Sequence, residues 1–266
     1  MKISIITVCF NAADTIADTL RSVAEQDYPD IEHIVVDGAS RDGTQSIVQG
    51  LSQRVARFVS ERDRGIYDAM NKGMALATGE VVAYLNADDV YAHAGVVRRV
   101  VEVFQDPKVD ACYANLVYVD RSRAEQVVRV WRSRDFRPGL FRRGWMPAHP
   151  TLFVRREPLL ATGGFDIRFR QQADFDLTLR LFELQRIRSR FIPEFWVRMR
   201  EGGASNASWR HIVKGNLEAW RICWKNGFRV GPWFMLIKVA SRLGQFRVRA
   251  ADLKALERQG TEAALP

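Results

Sequence analysis

Cysteine is scarce in this chain of 266 residues. The three present, Cys9, Cys112 and Cys223, are odd in number and far apart. They form no disulfide framework and no paired metal site, and such usage favours a reducing, cytoplasmic compartment. Long apolar runs are missing as well. No stretch reaches the roughly 20 uncharged apolar residues of a spanning helix. The apolar start, Ile3 to Phe10, is short and leads into a polar Asn11-Ala12-Ala13-Asp14 turn, which does not read as a secretory signal. There is no G-x-G-x-x-G turn after the first apolar run, which argues against a dinucleotide-dependent oxidoreductase. The Gly-rich basic loop that a sugar nucleotidyltransferase would carry there is absent too.

What is present suits a folded enzyme. Hydrophobic residues make up 47% and charged residues 27%, enough for one substantial core with a small appendage and too apolar for global disorder. The net charge of +9 is unevenly spread. Residues 1–90 hold 8 Lys and Arg against 14 Asp and Glu, a net of −6, so the rest carries +15. An acidic first part suits a cation site. A basic remainder suits phosphate-rich partners: nucleotides, nucleic acid or anionic lipid.

The patterning alternates strand and helix. Ile3–Val8, Ile34–Val36, Phe58–Ser60 and Val81–Leu85 read as short buried strands. Between them, Ile16, Leu20 and Val23 share one helical face, Ile47 and Leu51 mark a second helix, and Ile66, Met70, Met74 and Ala77 a third. This predicts an α/β fold with a mostly parallel central sheet covered by helices on both faces. Ligands of such sheets bind beyond the carboxyl ends of the strands, where Asp37, Asp88 and Asp89 stand. After about residue 110 the alternation loosens into a mixed half, with strands at Thr151–Val154 and Phe191–Ile192 and a helix over Asp174–Leu184. Residues 260–266 read as a frayed tail.

Several polar clusters carry two readings each. In Asn86-Ala87-Asp88-Asp89, adjacent carboxylates at a strand end repel unless a hard divalent cation such as Mn²⁺ or Mg²⁺ joins them. Alternatively they cap a helix starting near His93-Ala94. Asp37 either accepts hydrogen bonds from a nucleobase or ribose, or closes an Asx turn into Ser40-Arg41-Asp42-Gly43-Thr44. The run Glu61 to Gly73 is a solvated, capped loop or a pyrophosphate cradle at a helix amino terminus. Asp174 caps a helix or takes a proton as a general base. His149, alone before a strand, is structural or faces a substrate.

Taken in order, these runs resemble the family-2 glycosyltransferases of the GT-A fold over about residues 1–205. They are the opening strand with Cys-Phe-Asn-Ala, Val-Val-Asp-Gly-Ala-Ser-Arg-Asp-Gly-Thr, Asp-Arg-Gly-Ile-Tyr-Asp-Ala-Met-Asn-Lys-Gly, Leu-Asn-Ala-Asp-Asp, Gly163-Gly164-Phe165-Asp166 and Ala-Asp-Phe-Asp-Leu. The third run is similar to the bacterial branch that builds exopolysaccharide and other surface glycans. The resemblance implies an inverting, metal-dependent hexosyltransferase that uses a nucleotide-sugar donor, with a UDP-sugar favoured, and a lipid-linked glycan acceptor. It implies that Thr7, Phe10 and Asp37 frame the base, with Asn11, Asp63, Gly65, Asn71, Lys72, Asn86 and Asp88 also around the nucleotide sugar. Asp88 and Asp89 would hold Mn²⁺ or Mg²⁺, and Asp174 would be the catalytic base. His149, Gly164, Phe165 and Asp166 would line the acceptor side. Two positions depart from the family pattern: Asn86 stands where Asp is frequent, and Ala173 where Glu often precedes the base.

The character changes over residues 206–250, read as a helical extension before a tail at 251–266. Residues 206–249 contain nine Lys and Arg, one acid (Glu218) and four of the seven tryptophans. No nucleic-acid module is recognisable in it, so a non-enzymatic binder of nucleic acid or another anionic polymer is the weaker reading. Either the segment lies on the anionic inner face of the cytoplasmic membrane, or its tryptophans fill a contact with the catalytic domain. In the membrane reading, Trp233 to Ile237 insert while Lys238, Arg242, Arg247 and Arg249 stay among the headgroups.

Overall fold

The computed structural model describes all residues except 52, 53, 122, 124, 203–208, 232 and 263–266. The strands are β1 (Ile3–Cys9), β2 (Ile31–Asp37), β3 (Val55–Ser60), β4 (Val81–Tyr84), β5 (Asp89–Tyr91), β6 (Ala111–Val119), β7 (Val127–Trp131), β8 (Phe153–Arg155) and β9 (Ser189–Arg200). They form one sheet in the order β3-β2-β1-β4-β8-β6-β9-β5, with β7 added to β6. Pairing is parallel from β3 through β4 and between β6 and β9, and antiparallel elsewhere. The alternating half is thus the parallel half, as the short apolar strands imply.

β1 is buried along its whole length because helices cover both faces. Ile6 and Val8 point into one cluster and Ile3 and Ile5 into the opposite one, as a period of two requires. Helices α1 (Ile16–Ala24), α2 (Thr44–Gly50), α3 (Ile66–Leu76) and α4 (Val96–Phe104) complete the two layers around the first strands. α3 lies directly on β1: a Cβ on Gly73 would stand 2.3 Å from Ile6 Cγ2, so only glycine permits this approach.

α5 (Arg156–Ala161) and α6 (Ala173–Leu179) follow, the latter running into a π-helical turn over Arg180–Leu184. Two elements exceed expectation. β9 is 12 residues long where the sequence marks only Phe191 and Ile192, because alternate residues carry charge and mask the apolar period. β5 and β7 carry too short an apolar signal to be seen alone.

The carboxyl-terminal helices are α7 (Trp209–Lys225), α8 (Trp233–Leu243) and α9 (Ala250–Glu262). Ala219, Ile222, Cys223 and Phe234 sit in the same apolar cluster as β1, so this segment shares the core of the catalytic half. The expected boundary at 205/206 and the tail end at 263–266 lie outside the described residues. The stretch expected as a tail from 251 is helical through Glu262. Leu256 of α9 is buried against Val117, Val119 and Phe195, and Asp252 pairs with Arg132. The expected orientation of α8 is also corrected. Lys238 turns inward and is 1% exposed, and Arg242 faces the Trp131 ring. The outward face is the apolar one: Trp233, Leu236, Ile237, Val239 and Leu243 are all exposed. No helix among the described residues is long and apolar enough to cross a membrane.

Candidate active site

The loops after β1, β2 and β4 open at one end of the parallel sheet, and with β9 they enclose a cleft of about 970 Å³. The first two are bolted together. Asn11 N donates to Ser40 Oγ (2.8 Å), Ala12 N to Thr44 Oγ1 (2.8 Å), and Arg41 N to Asn11 Oδ1 (3.0 Å). Asn11 and Ala39 hold positive φ values of 48° and 62° here, local strain that these hydrogen bonds sustain. Phe10 is left 64% exposed on the cleft wall, an apolar platform of the kind a base stacks on.

Asp63 lies opposite. Its Oδ1 accepts the Gly65 N–H at 2.8 Å, while a Cβ on Gly38 would stand 2.6 Å from Oδ2 and 3.2 Å from the Phe10 ring. Gly38 is therefore the gap through which Asp63 and Phe10 face the same space. Gly65 also lines the cleft, with φ 117°. Asp37, expected at the base, is fully buried behind this wall. Its carboxylate accepts Ser40 N (3.0 Å), Ser40 Oγ and Ser60 Oγ (2.6 Å), which is the turn-closing arrangement. Burial beside that carboxylate pushes the Cys9 thiol far up. Thr7 is also outside the cleft: it is buried, and its Oγ1 bonds the His33 ring at 2.9 Å.

Asp88 forms the far wall with Asn86. Helix α4 begins seven residues later with Gly95 at its cap, so the two acids cap no helix. Burial raises the Asp88 carboxyl, and burial plus the neighbouring Asp88 raises the fully buried Asp89 well above the carboxylate range. Asp89 Oδ1 and Asn86 Oδ1 have no hydrogen-bond partner among the described residues. Two crowded carboxyls with orphaned oxygens fit a divalent cation, which would stabilise both as anions. The described residues contain no group of three or more His, Cys, Asp or Glu side chains able to hold a metal ion, so these two carboxyls would supply only part of a cation's oxygen shell. Opposite charge comes from Arg41, Arg62, Arg121 and Arg200, all on the cleft lining. Sequence reasoning missed Arg200 and Arg121. Arg200 reaches the site at the end of β9, which pairs with β5, and Arg121 reaches it from the turn after β6; nothing local marks either.

Asn71 and Lys72, expected near the nucleotide sugar, do other work. Asn71 clamps the next loop from both ends of its amide, to Phe165 O (2.9 Å) and from Phe165 N (2.8 Å). Lys72 ties Glu61 (2.7 Å) and Arg62 O (2.8 Å). The clamp explains Gly164, whose φ is 85° and whose Cβ would stand 2.5 Å from Asn71 Oδ1.

Phe165, so held, is the hub of the aromatic group expected on the acceptor side. The Tyr67 ring stacks on it at 5.4 Å, and Tyr84 and His149 meet it edge-on at 5.2 and 5.7 Å. Tyr67 OH donates to Asp174 Oδ1 at 3.4 Å. Burial, then the charge of Asp174, raises the Tyr67 phenol well above its usual range, so it remains a donor. His149 is buried and kept neutral by burial, and among the described residues neither of its ring nitrogens nor the Tyr84 hydroxyl has a hydrogen-bond partner. Tyr84 carried no motif signal, because it reads as one more apolar strand residue. Asp166 faces away from this group, bonded to Arg168 and Lys225, which hold it well below the carboxylate range. Asp174 is the second residue of α6 and is not its cap.

Comparison with known proteins agrees with this geometry. Residues 4–161 match the family described as Glycosyl transferase family 2. A PGL/p-HBAD biosynthesis glycosyltransferase of Mycobacterium tuberculosis (strain ATCC 25177 / H37Ra) is 32% identical over 215 residues, covering 76% of this chain and 78% of that protein. Among solved structures, the mannosyltransferase PcManGT from Pyrobaculum calidifontis, in complex with GDP-Man and Mn²⁺, superposes with a TM-score of 0.64 at 24% identity. That match covers 100% of this chain and 81% of the other. S. aureus TarS 1-349 in complex with UDP-GlcNAc gives a TM-score of 0.64 at 17% identity, covering 99% and 72%. At these identities the two structures speak for a shared fold.

Proposed function

From the premise that the chain belongs to glycosyl transferase family 2 and has its GT-A fold, we propose that it is an inverting, metal-dependent transferase. In this reading it moves a sugar from a UDP-sugar to a hydroxyl of a lipid-linked glycan in the building of cell-surface polysaccharide. The observation that carries the reading is the arrangement of two carboxylate centres, Asp88 on the cleft wall and Asp174 beside Tyr67. The base stacks on Phe10. Asp63 offers it one free oxygen, since Oδ1 is already taken by Gly65 N–H. One free acceptor suits the single imide N–H of uracil better than the paired donors of guanine. The cleft arginines take the diphosphate. Asp88, backed by Asp89, holds Mn²⁺ or Mg²⁺, which when bound supplies charge for the departing diphosphate. Asp174 accepts the proton of the incoming hydroxyl, and Tyr67 orients that carboxylate. One base acting on one face is a single displacement, so the anomeric configuration inverts.

The outer face of α8 supports attachment to the inner face of the cytoplasmic membrane. Trp233 is 70% exposed, with Leu236, Ile237 and Leu243 on the same helical side, and Trp224 stands exposed on α7. Arg221, Arg229, Arg247 and Arg249 of the same carboxyl-terminal segment are exposed as well. An apolar ridge on a segment rich in exposed cations is the surface an anionic bilayer accepts. The inner face of the same helix lies against Phe175, so the ridge stands over the acceptor side, where a lipid-borne hydroxyl would arrive.

The test of this reading is Asp174→Asn, which keeps the shape and removes the basic oxygen. Turnover should fall by about 10²–10⁴-fold, the usual scale for a lost acid–base group, with UDP affinity in Mn²⁺ retained. Normal turnover in this variant would place the base elsewhere.

A further inference from the structure

Four side chains from α7, the turn after it and α8 converge on the seven residues that carry Asp174, although they lie some 40–70 positions later in the chain. The backbone N–H groups of Arg170, Gln171 and Gln172 all donate to the Glu218 carboxylate, at 3.3, 2.9 and 3.2 Å. Gln172 is the cap residue of α6 and makes no side-chain cap bond of its own, so Glu218 satisfies the amides ahead of that helix from another element. The Gln172 side chain is held in turn: its Oε1 accepts from Lys238 Nζ at 2.5 Å. The same ammonium sits 4.7 Å from the Phe175 ring centroid, one residue beyond Asp174. On the far side, Asp176 accepts from Lys225 Nζ (3.2 Å) and Asn226 Nδ2 (2.9 Å).

The packing leaves no slack. A Cβ on Gly215 would stand 2.8 Å from Gln171 Oε1, and one on Gly144 would stand 2.5 Å from Lys238 Cβ. By contrast, among the described residues the link from the first half of the chain to the Asp174 carboxylate is a 3.4 Å bond from Tyr67.

We propose that the carboxyl-terminal helices belong to the catalytic machinery, with Glu218 and Lys238 as positioning residues that set the backbone presenting Asp174. The proposal rests on Asp174 being the base. It gives the extension a role in the chemical step that is separate from any role at a membrane. A general base works only within hydrogen-bond reach of its proton, and a displacement of about 1 Å can cost on the order of 10²-fold in rate. Residues that fix residues 170–176 therefore act on turnover and not on the nucleotide, which binds in the cleft lined by Phe10, Asp63 and Asp88. Burial draws the Lys238 ammonium down to about 7, with Arg242 opposing its charge and Asp174 supporting it.

The experiment uses the full chain. UDP release from UDP-glucose, UDP-galactose and UDP-N-acetylglucosamine is followed in Mn²⁺ with water as the acceptor, and UDP affinity is measured by calorimetry. Glu218→Ala should lower UDP release by 10-fold or more at saturating donor, with UDP affinity unchanged. Glu218→Gln keeps one acceptor oxygen for the three amides and should restore release to within a few-fold of the parent. Lys238→Met, similar in volume, should lower release independently. In the Asp174→Asn background, Glu218→Ala should add little further loss, because both changes remove the same function. If Asp174→Asn alone releases UDP normally, the reading of Asp174 as base fails. If Asp174→Asn is slow while Glu218→Ala and Lys238→Met are both fully active, the positioning proposal is overturned. A loss of UDP affinity and thermal stability in step with activity, without rescue by glutamine, would also overturn it, since scaffolding alone does that.

Discussion

The two ends of the proposed active site, donor and acceptor, are built differently. The donor end is made almost wholly by residues within the first 90 positions, in loops that follow consecutive parallel strands and bond to one another. The acceptor end is assembled from afar: Tyr67 on α3, Phe165 on a loop clamped by Asn71, Asp174 on α6, and a brace of α7 and α8 behind it. A parallel α/β half places its loops at one edge by topology alone, so short motifs suffice. The acceptor end has no such rule to rely on and uses long-range hydrogen bonds instead. A change confined to the donor end should therefore alter nucleotide affinity and leave the chemical step alone. A change in the outer helices should do the reverse.

The sharpest way to break this comparison at the donor end is Gly38→Ala. The new Cβ would meet Asp63 Oδ2 at 2.6 Å and the Phe10 ring at 3.2 Å, so one of these groups must move out of the base site. UDP affinity should fall by roughly 10-fold, the scale of one weakened hydrogen bond, with turnover at saturating donor nearly unchanged. Calorimetry with UDP and steady-state UDP release check the two halves. A fall in turnover with intact affinity would mean that the two ends are not separable.

A smaller effect is expected on the outer face of α8. Replacing Trp233 and Leu236 by Ser should weaken binding to phosphatidylglycerol-containing vesicles several-fold or more, because burying each large apolar side chain is worth about 1.5–3 kcal/mol in full and less at an interface. Salt should weaken what remains, through the exposed arginines. UDP release in solution should be unaltered, since neither residue touches the Asp174 loop. Equal vesicle binding by the variant and the parent would remove the membrane reading and leave the bracing role of α8 intact.

The contrast also explains what the sequence made legible. The strand–helix alternation and the helical start at Asp174 follow from local patterns, and the motifs that carry the family resemblance pointed to Phe10, Asn11, Asp63, Gly65, Asn86 and Asp88, which line the cleft. Asp37, Thr7, Asn71 and Lys72 were read for their chemistry in the same motifs, yet the structure spends their polar groups on other protein groups. A motif shows that a polar residue is required, and only geometry shows which way it faces. Tyr84, Arg121, Arg200 and Glu218 were invisible for a different reason: each reaches its end of the site through β4, a turn, β9 or α7, and no short-range spacing encodes that meeting. The basic, tryptophan-rich segment was read as one amphipathic surface. In the structure Lys238 and Arg242 are its inner face, where Lys238 meets Gln172 and the Phe175 ring and Arg242 meets the Trp131 ring.

The most direct measurement of the central claim, a nucleotide held at the donor end through a cation on Asp88, is thermal unfolding with UDP or GDP, with and without Mn²⁺, in the parent and in Asp88→Ala. UDP with Mn²⁺ at about 100 times its dissociation constant should add about 2.7 kcal/mol of stability to the parent, more than GDP adds at the same concentration. Asp88→Ala should unfold like the unliganded parent and show no Mn²⁺-dependent gain. An equal Mn²⁺-dependent gain in the variant would contradict the account.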